Sequence, residues 1–196
     1  DLEKRLSGQK KPSRLVLAAG DDIYALLAIK DAQIKGFVEP LVVGDKESIL
    51  KLADSKGIDL QNIEIHPEKD QVLAVEKAVK IVSEGGAQIL MKGASSTSIL
   101  LKAVLNKEWG LRNGALLSHI SIFEIPLYHK LLAITDVAIN IAPSLEEKKN
   151  IIKNAVTFLK NIGLHQPKVA IIAAVEKVYD AMPATVDAAK IRDSYL

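Results

Sequence analysis

Residues 89–105 read ILMKGASSTSILLKAVL, and the middle of this stretch holds the densest set of groups able to do chemistry. Lys92 and Gly93 are followed by Ala94 and then four hydroxyl residues, Ser95, Ser96, Thr97 and Ser98, and Lys102 adds a second cation further on. Apolar residues on both sides suggest a buried strand before the loop and a helix after it. Small residues let a ligand come close to the backbone, and hydroxyls donate to phosphate oxygens. A helix start supplies free N–H groups and partial positive charge. The pattern fits an anion cradle; simple N-capping by one serine is the plainer alternative. Other phosphate signatures are absent. The pattern G-x-x-x-x-G-K-[ST] does not occur, and AAGDDIYA, after the first apolar run, lacks G-x-G-x-x-G.

Further candidates are more dispersed. Ser118 and His119 open an apolar run; the imidazole could be an acid, a base or a satisfied structural group. Asp136 and Asn140 precede Pro143, where they could meet a ligand or cap a turn. Glu176 ends the run KVAIIAAVE, either beside a ligand or as a solvated strand terminus. His66, His129 and His165 are scattered without metal-ligand spacing, so no metal site is expected.

The elements that must position these groups alternate along the chain. RLVLAAG (14–20), EPLVVG (39–44), NIEIHP and AQILMKG read as strands. Between them, helices are expected over 21–36, from Asp45 onward and over 69–86, where Val72, Val75, Ala78, Val79 and Val82 share one stripe. Asp residues and Asp45 serve as N-caps, and Gly36 and Gly85-Gly86 as stops. The rhythm then changes. SHISIFEIP (118–126) and LLAITDVAI (131–139) are joined by only LYHK, which is too short for a crossover and predicts an antiparallel hairpin. Ser144 and Glu147 form a capping box for a long helix, a strand is expected over 167–175, and PATVDAAKIRDSYL begins a last helix. Such alternation means an α/β fold with a largely parallel sheet, whose ligands sit beyond the strands' carboxyl ends. The segment NIAPSLEE (140–147) is the expected domain boundary.

Composition narrows the class. The chain has 196 residues, 48% of them hydrophobic and 26% charged, with 4% aromatics, so Ala, Val, Ile and Leu supply most apolar bulk. This suits strands covered on both faces by helices. A net charge of +2 without a basic stripe speaks against nucleic acid. There is no cysteine, which excludes disulfides, thiolate metal sites and a covalent thiol mechanism, and agrees with a reducing compartment. The opening DLEKRLSGQKKPSR lacks the apolar core of a signal peptide, and no run reaches membrane-spanning length. A soluble cytoplasmic protein is expected.

Four segments carry a resemblance in order and spacing: QILMKGASSTSILLKAVLNKEWGLR, LLSHISIFEIPLYHKLLAITDVAINIAPSLEEKKNIIKNAV, IGLHQPKVAIIAAVEKV and MPATVDAA. Together they resemble the phosphate acetyltransferase/phosphate butyryltransferase family, and its butyryl-type members most closely. The resemblance implies reversible transfer of a short-chain acyl group, butyryl or similar, between coenzyme A and inorganic phosphate. It implies a three-layer fold with a mostly parallel sheet and an antiparallel hairpin. Two domains of the isocitrate/isopropylmalate dehydrogenase-like kind would surround a cleft, here as a first α/β domain over 1–143 and the beginning of a second over 144–196. Carried over by position, Lys92, Gly93, Ser96 and Thr97 would line the substrate site, with Lys102 holding the acyl phosphate. Ser118, Asp136 and Asn140 match further substrate-site positions, while His119, Glu176, Pro183 and Thr185 match family positions of less defined role. Where the family reads EKVNPKMP this chain reads EKVYDAMP, with Tyr179, Asp180 and Ala181 replacing Asn, Pro and Lys.

The implied chemistry is direct attack of the coenzyme A thiolate on an acyl-phosphate carbonyl, which needs no enzyme nucleophile and so suits a chain without cysteine. Coenzyme A is then a substrate; no permanently bound cofactor is expected. The partners would be acyl-CoA, phosphate and acyl phosphate, with neither nucleic acid nor membrane, in a homo-oligomer. The family's Ser-Arg and Asp constellation, expected to orient the thiol and supply the base, would lie beyond Leu196. The 196 residues alone are therefore expected to be inactive and to expose an apolar face, with His119 and Glu176 as the candidate bases inside the chain. The alternatives are a non-catalytic ligand-binding relative and an acyl-carrier-protein-dependent phosphate acyltransferase. An NAD-linked dehydrogenase of this fold fits poorly, because Arg112 and Arg192 are the only arginines after residue 15.

Overall fold

Strand β1 (Ser13–Ala18) alternates which face each side chain serves, and the layers of the fold follow from that alternation. Leu15 and Leu17 pack on one side with Val42, Leu26, Ile29 and Ile49, whereas Val16 and Ala18 pack on the other with Leu41, Val43, Val75, Ala78 and Val79. A strand buried on both faces needs helices above and below. In the computed structural model, which describes residues 11–194, those helices are α1 (Ile23–Ile34) and α2 (Lys46–Ser55) on the first side, and α3 (Gln71–Ser83) and α4 (Thr97–Val104) on the second. The remaining strands are β2 (Val38–Gly44), β3 (Glu64–Pro67) and β4 (Ile89–Lys92). All pairings are parallel and the order is β3-β2-β1-β4.

Helices α1 and α2 start at the expected Asp caps, and α3 has an Asp cap as well. Asp22 accepts from Tyr24 and Ala25 N–H, Asp45 from Glu47, and Asp70 from Val72 and Leu73. Each satisfies first-turn donors that have no partner within the helix. The α3 stripe is real, with Val75, Ala78 and Val79 buried, although Val72 at its edge is 45% exposed.

Contacts divide the chain into a first unit ending at Asn113 and a second beginning at Gly114. The second unit carries the antiparallel hairpin β5 (Ser121–Phe123) and β6 (Leu132–Ile134), paired Ser121 to Ile134, and the helices α5 (Leu145–Asn161) and α6 (Pro183–Ser194). Ser144 and Glu147 form the capping box at α5, and Lys148 pairs with Asp187 at 2.6 Å to tie α5 to α6. The hairpin arms are three residues each, shorter than the apolar runs that announced them.

One expected strand is absent. Residues 167–175 have the composition of a strand but no ladder partner among the described residues, and are not a strand. Apolar β-branched residues favour the conformation, yet a strand exists only where its N–H and C=O groups pair with a neighbour. Val169, Ile172 and Val175 are instead exposed.

Candidate functional site

Order within the first sheet decides where a ligand can sit. After β1 the chain passes to α1 on one side, whereas after β4 it passes to α4 on the other. Connections that leave adjacent strand ends in opposite directions open a crevice between them. The loop Gly93–Ser96 borders that divergence, so the hydroxyl-rich segment lies at the switch point of its sheet.

This loop is packed tightly against the end of β1. Gly93 N–H donates to Ala18 O at 2.8 Å and Ala94 N–H to Ala19 O at 2.7 Å. Ala19 itself adopts φ of 53°, in the left-handed region unusual for a residue with a side chain. A Cβ on Gly93 would lie 2.1 Å from Ala19 O, which explains the glycine by close approach. Lys92 turns back on the loop. Its Nζ donates to Gly93 O at 3.0 Å and Ser95 O at 2.8 Å.

The four hydroxyls do different things. Ser96 is the N-cap of α4, its Oγ accepting from Ile99 N–H at 3.3 Å and pairing with Ser98 Oγ at 2.9 Å. Thr97, exposed, opens the helix; N–H groups of Thr97 and Ser98 belong to the first turn, which has no carbonyl to bond within the helix. Ser95 is 2% exposed, and its Oγ is buried without a hydrogen-bond partner among the described residues. A buried hydroxyl left unpaired is costly, by about 1–3 kcal/mol, so a ligand or water that reached it would be rewarded. Lys102 stands in the last turn of α4, exposed, beside a cavity of about 130 Å³ shared with Glu76, Asn106 and Trp109.

Ser118, His119, Asp136 and Asn140, distant in sequence, are brought together in the second unit. Asp136 Oδ2 accepts from His119 N–H at 3.1 Å and Asn140 Nδ2 at 2.6 Å, while Oδ1 accepts from Ala138 and Ile139 N–H at 2.9 and 3.0 Å. Burial pushes the Asp136 carboxyl upward, but the donors from Ala138, Ile139, Asn140 and His119 outweigh it and hold the pKa at about 2. Asn140 also donates to Leu117 O at 3.0 Å, and Thr135 Oγ1 donates to His119 O. His119 Nε2 meets Ser121 Oγ at 3.3 Å, whereas its Nδ1 is buried with no partner among the described residues.

One contributor to these clusters carries no obvious signal in sequence. Asn154, within α5, donates to Leu116 O at 2.7 Å and to Ser118 Oγ at 3.0 Å. It lies one turn beyond buried Ile151, and an amide on that inward stripe is the one hint available. Ser95 belongs to the hydroxyl run already singled out, but its burial carries no such hint, because burial of a small loop residue follows no periodicity. Glu176 is exposed and lines an open cavity of about 770 Å³ with Val169, Ile171 and Ile191. Thr185 is buried beside the turn into α6, where Tyr179 N–H donates to its Oγ1 at 2.9 Å, and Pro183 is the first residue of that helix. Among the described residues, no three His, Asp or Glu side chains gather as a metal would need, and no helix is long and apolar enough to cross a membrane.

Comparison with known proteins places these observations. A family model described as phosphate acetyl/butaryl transferase matches residues 68–193. The chain is 41% identical over 182 residues to the phosphate butyryltransferase of Clostridium acetobutylicum, covering 93% of this chain and 60% of that protein. It is 41% identical over 176 residues to the phosphate butyryltransferase of Clostridium beijerinckii, covering 90% and 58% respectively. A branched-chain phosphotransacylase from Enterococcus faecalis has a solved structure that superposes with a TM-score of 0.78 at 29% identity, over 93% of this chain and 64% of that one. The chain thus spans about 60% of the length of the curated relatives it matches.

Proposed function

The chain belongs to the phosphate acetyl/butyryl transferase family, and on that premise we propose that it serves reversible transfer of a short-chain acyl group, butyryl or similar, between coenzyme A and inorganic phosphate. The observation that carries this is the loop 93–98: a hydroxyl-rich helix entrance at the switch point of a parallel sheet, with a buried Ser95 hydroxyl that has no partner among the described residues. A phosphate dianion supplies acceptors for such a hydroxyl and for first-turn N–H groups.

In the acyl-phosphate direction, the thiolate sulfur of coenzyme A bonds to the carbonyl carbon, and the bond from that carbon to the phosphate oxygen breaks. The departing phosphate gathers negative charge. Ser95, Ser96, Thr97 and the α4 entrance receive it, and Lys102, exposed and without an ion-pair partner among the described residues, supplies a cation. Coenzyme A enters and leaves as a substrate. Asp136 and Asn140 hold the segment carrying Ser118 and His119 in place. The finer fold reading belongs to the same proposal: an isocitrate/isopropylmalate dehydrogenase-like protein whose second α/β domain starts near 144, assembled as a homo-oligomer in the cytoplasm.

The test is phosphate-dependent release of coenzyme A from butyryl-CoA by the enzyme that carries this sequence. Lys102→Ala should raise KM for acyl phosphate by about tenfold or more, the effect of losing one charge-assisted contact, with KM for coenzyme A little changed. Unaltered acyl-phosphate kinetics would remove Lys102 from the site. No phosphate-dependent release by the parent enzyme would remove the function.

A further inference from the structure

We infer that Lys92 is a positioning residue, which sets the shape of the α4 entrance from behind and leaves contact with phosphate to others; the inference rests on reading the 93–98 loop as the phosphate cradle. An ammonium has three N–H donors. Two of those on Lys92 are committed to carbonyls of the loop that follows it, Gly93 O at 3.0 Å and Ser95 O at 2.8 Å. In a trans peptide the C=O and the following N–H point in opposite directions. Drawing Ser95 O toward Lys92 therefore fixes Ser96 N–H to point away from it, at the helix entrance. Drawing Gly93 O the same way fixes Ala94 N–H, which donates to Ala19 O at 2.7 Å. The loop is held on one side by β1 and on the other by Lys92.

The arrangement also removes an electrostatic conflict. Carbonyl oxygens facing a phosphate would repel it, and Lys92 occupies the two it can reach. The buried Ser95 hydroxyl belongs to the residue whose carbonyl is held, so Lys92 restrains that hydroxyl as well. Lys102 has no such engagement among the described residues, and the two lysines of this segment thus have separate tasks.

Lys92→Met, which keeps the stem and loses the donors, separates these tasks. Two measurements are made on the protein without coenzyme A: hydrogen exchange of the 94–98 amides, and titration with inorganic phosphate followed by amide shifts. Lys92→Met should speed exchange of these amides and weaken phosphate binding, each by about tenfold, as expected for losing roughly one net hydrogen bond. Lys92→Arg should restore part of both. Lys102→Ala should weaken phosphate binding while leaving loop exchange as in the parent. If Lys92→Met lost phosphate binding with unchanged loop exchange, Lys92 would be a direct contact and the inference would be overturned; unchanged values in both measurements would overturn it equally. If the parent did not bind phosphate while Lys92→Met still loosened the loop, the positioning role would stand and the phosphate reading alone would fall. Should Lys92→Met fail to fold, Lys92→Gln is read in the same two measurements.

Discussion

At the scale of single residues, the loop 92–98 shows how little freedom a functional backbone has. Gly93 is buried, bonded through its N–H to Ala18 O, and has Ala19 O where a Cβ would go. Gly93→Ala must displace backbone on one side or the other. We expect a loss of about 1–3 kcal/mol, the range for overpacking a tight site, read as a lower urea midpoint with unchanged slope. A midpoint equal to the parent's would show that the loop can yield. The residue types here were legible beforehand: a lysine, a glycine and a run of hydroxyls between two apolar segments. Their directions were not. Whether Lys92 faces a ligand or its own carbonyls depends on the path of the loop, which no spacing encodes, and the same holds for the burial of Ser95.

At the scale of elements, legibility tracked pairing. Strands β1, β2 and β4 were evident because each has apolar side chains for both faces and a parallel neighbour, and several helices because Asp22, Asp45 and Ser144 mark their starts. The hairpin was evident from its short link, but only three residues of each arm pair, because Asp136 then turns the chain to bind four donors. The segment 167–175 has strand composition without a partner, and composition cannot report a missing neighbour. The Asp136 cluster carries a prediction in pH. Its carboxyl titrates at about 2 in the fold, against about 3.9 when unfolded. A depressed carboxylate stabilises the fold fully above its unfolded pKa, and that contribution fades as pH falls from about 4 toward 2. Asp136→Ala should cost about 1–3 kcal/mol at neutral pH, since it strips acceptors from several donors at once, and the mutant's stability should depend less on pH over that window. Parallel pH–stability curves for mutant and parent, from urea denaturation at several pH values, would count against this role.

At the scale of the whole molecule, the two units differ in how much they bury. The first has cores on both faces of its sheet, whereas in the second Ile151 and Ile191 are the only buried apolar side chains among the described residues. Val178 is 56% exposed and Val169 53%, at an open cavity of about 770 Å³ lined also by Ile152 and Val156, and Ile172, outside that lining, is 85% exposed. An apolar surface of this kind is rarely left in water, because burying such a side chain is worth about 1.5–3 kcal/mol. The 196-residue protein on its own should therefore bind an apolar dye and self-associate as its concentration rises, with the 167–178 face as the contact. Val169→Asp with Ile172→Asp should reduce dye fluorescence and shift sedimentation toward monomer. Both positions already face solvent, so the unfolding midpoint should move little, within about 0.5 kcal/mol. A parent protein that stays monomeric and dark to the dye would mean that this face is covered within the chain itself. A double variant that unfolds would mean that these side chains are packed in solution.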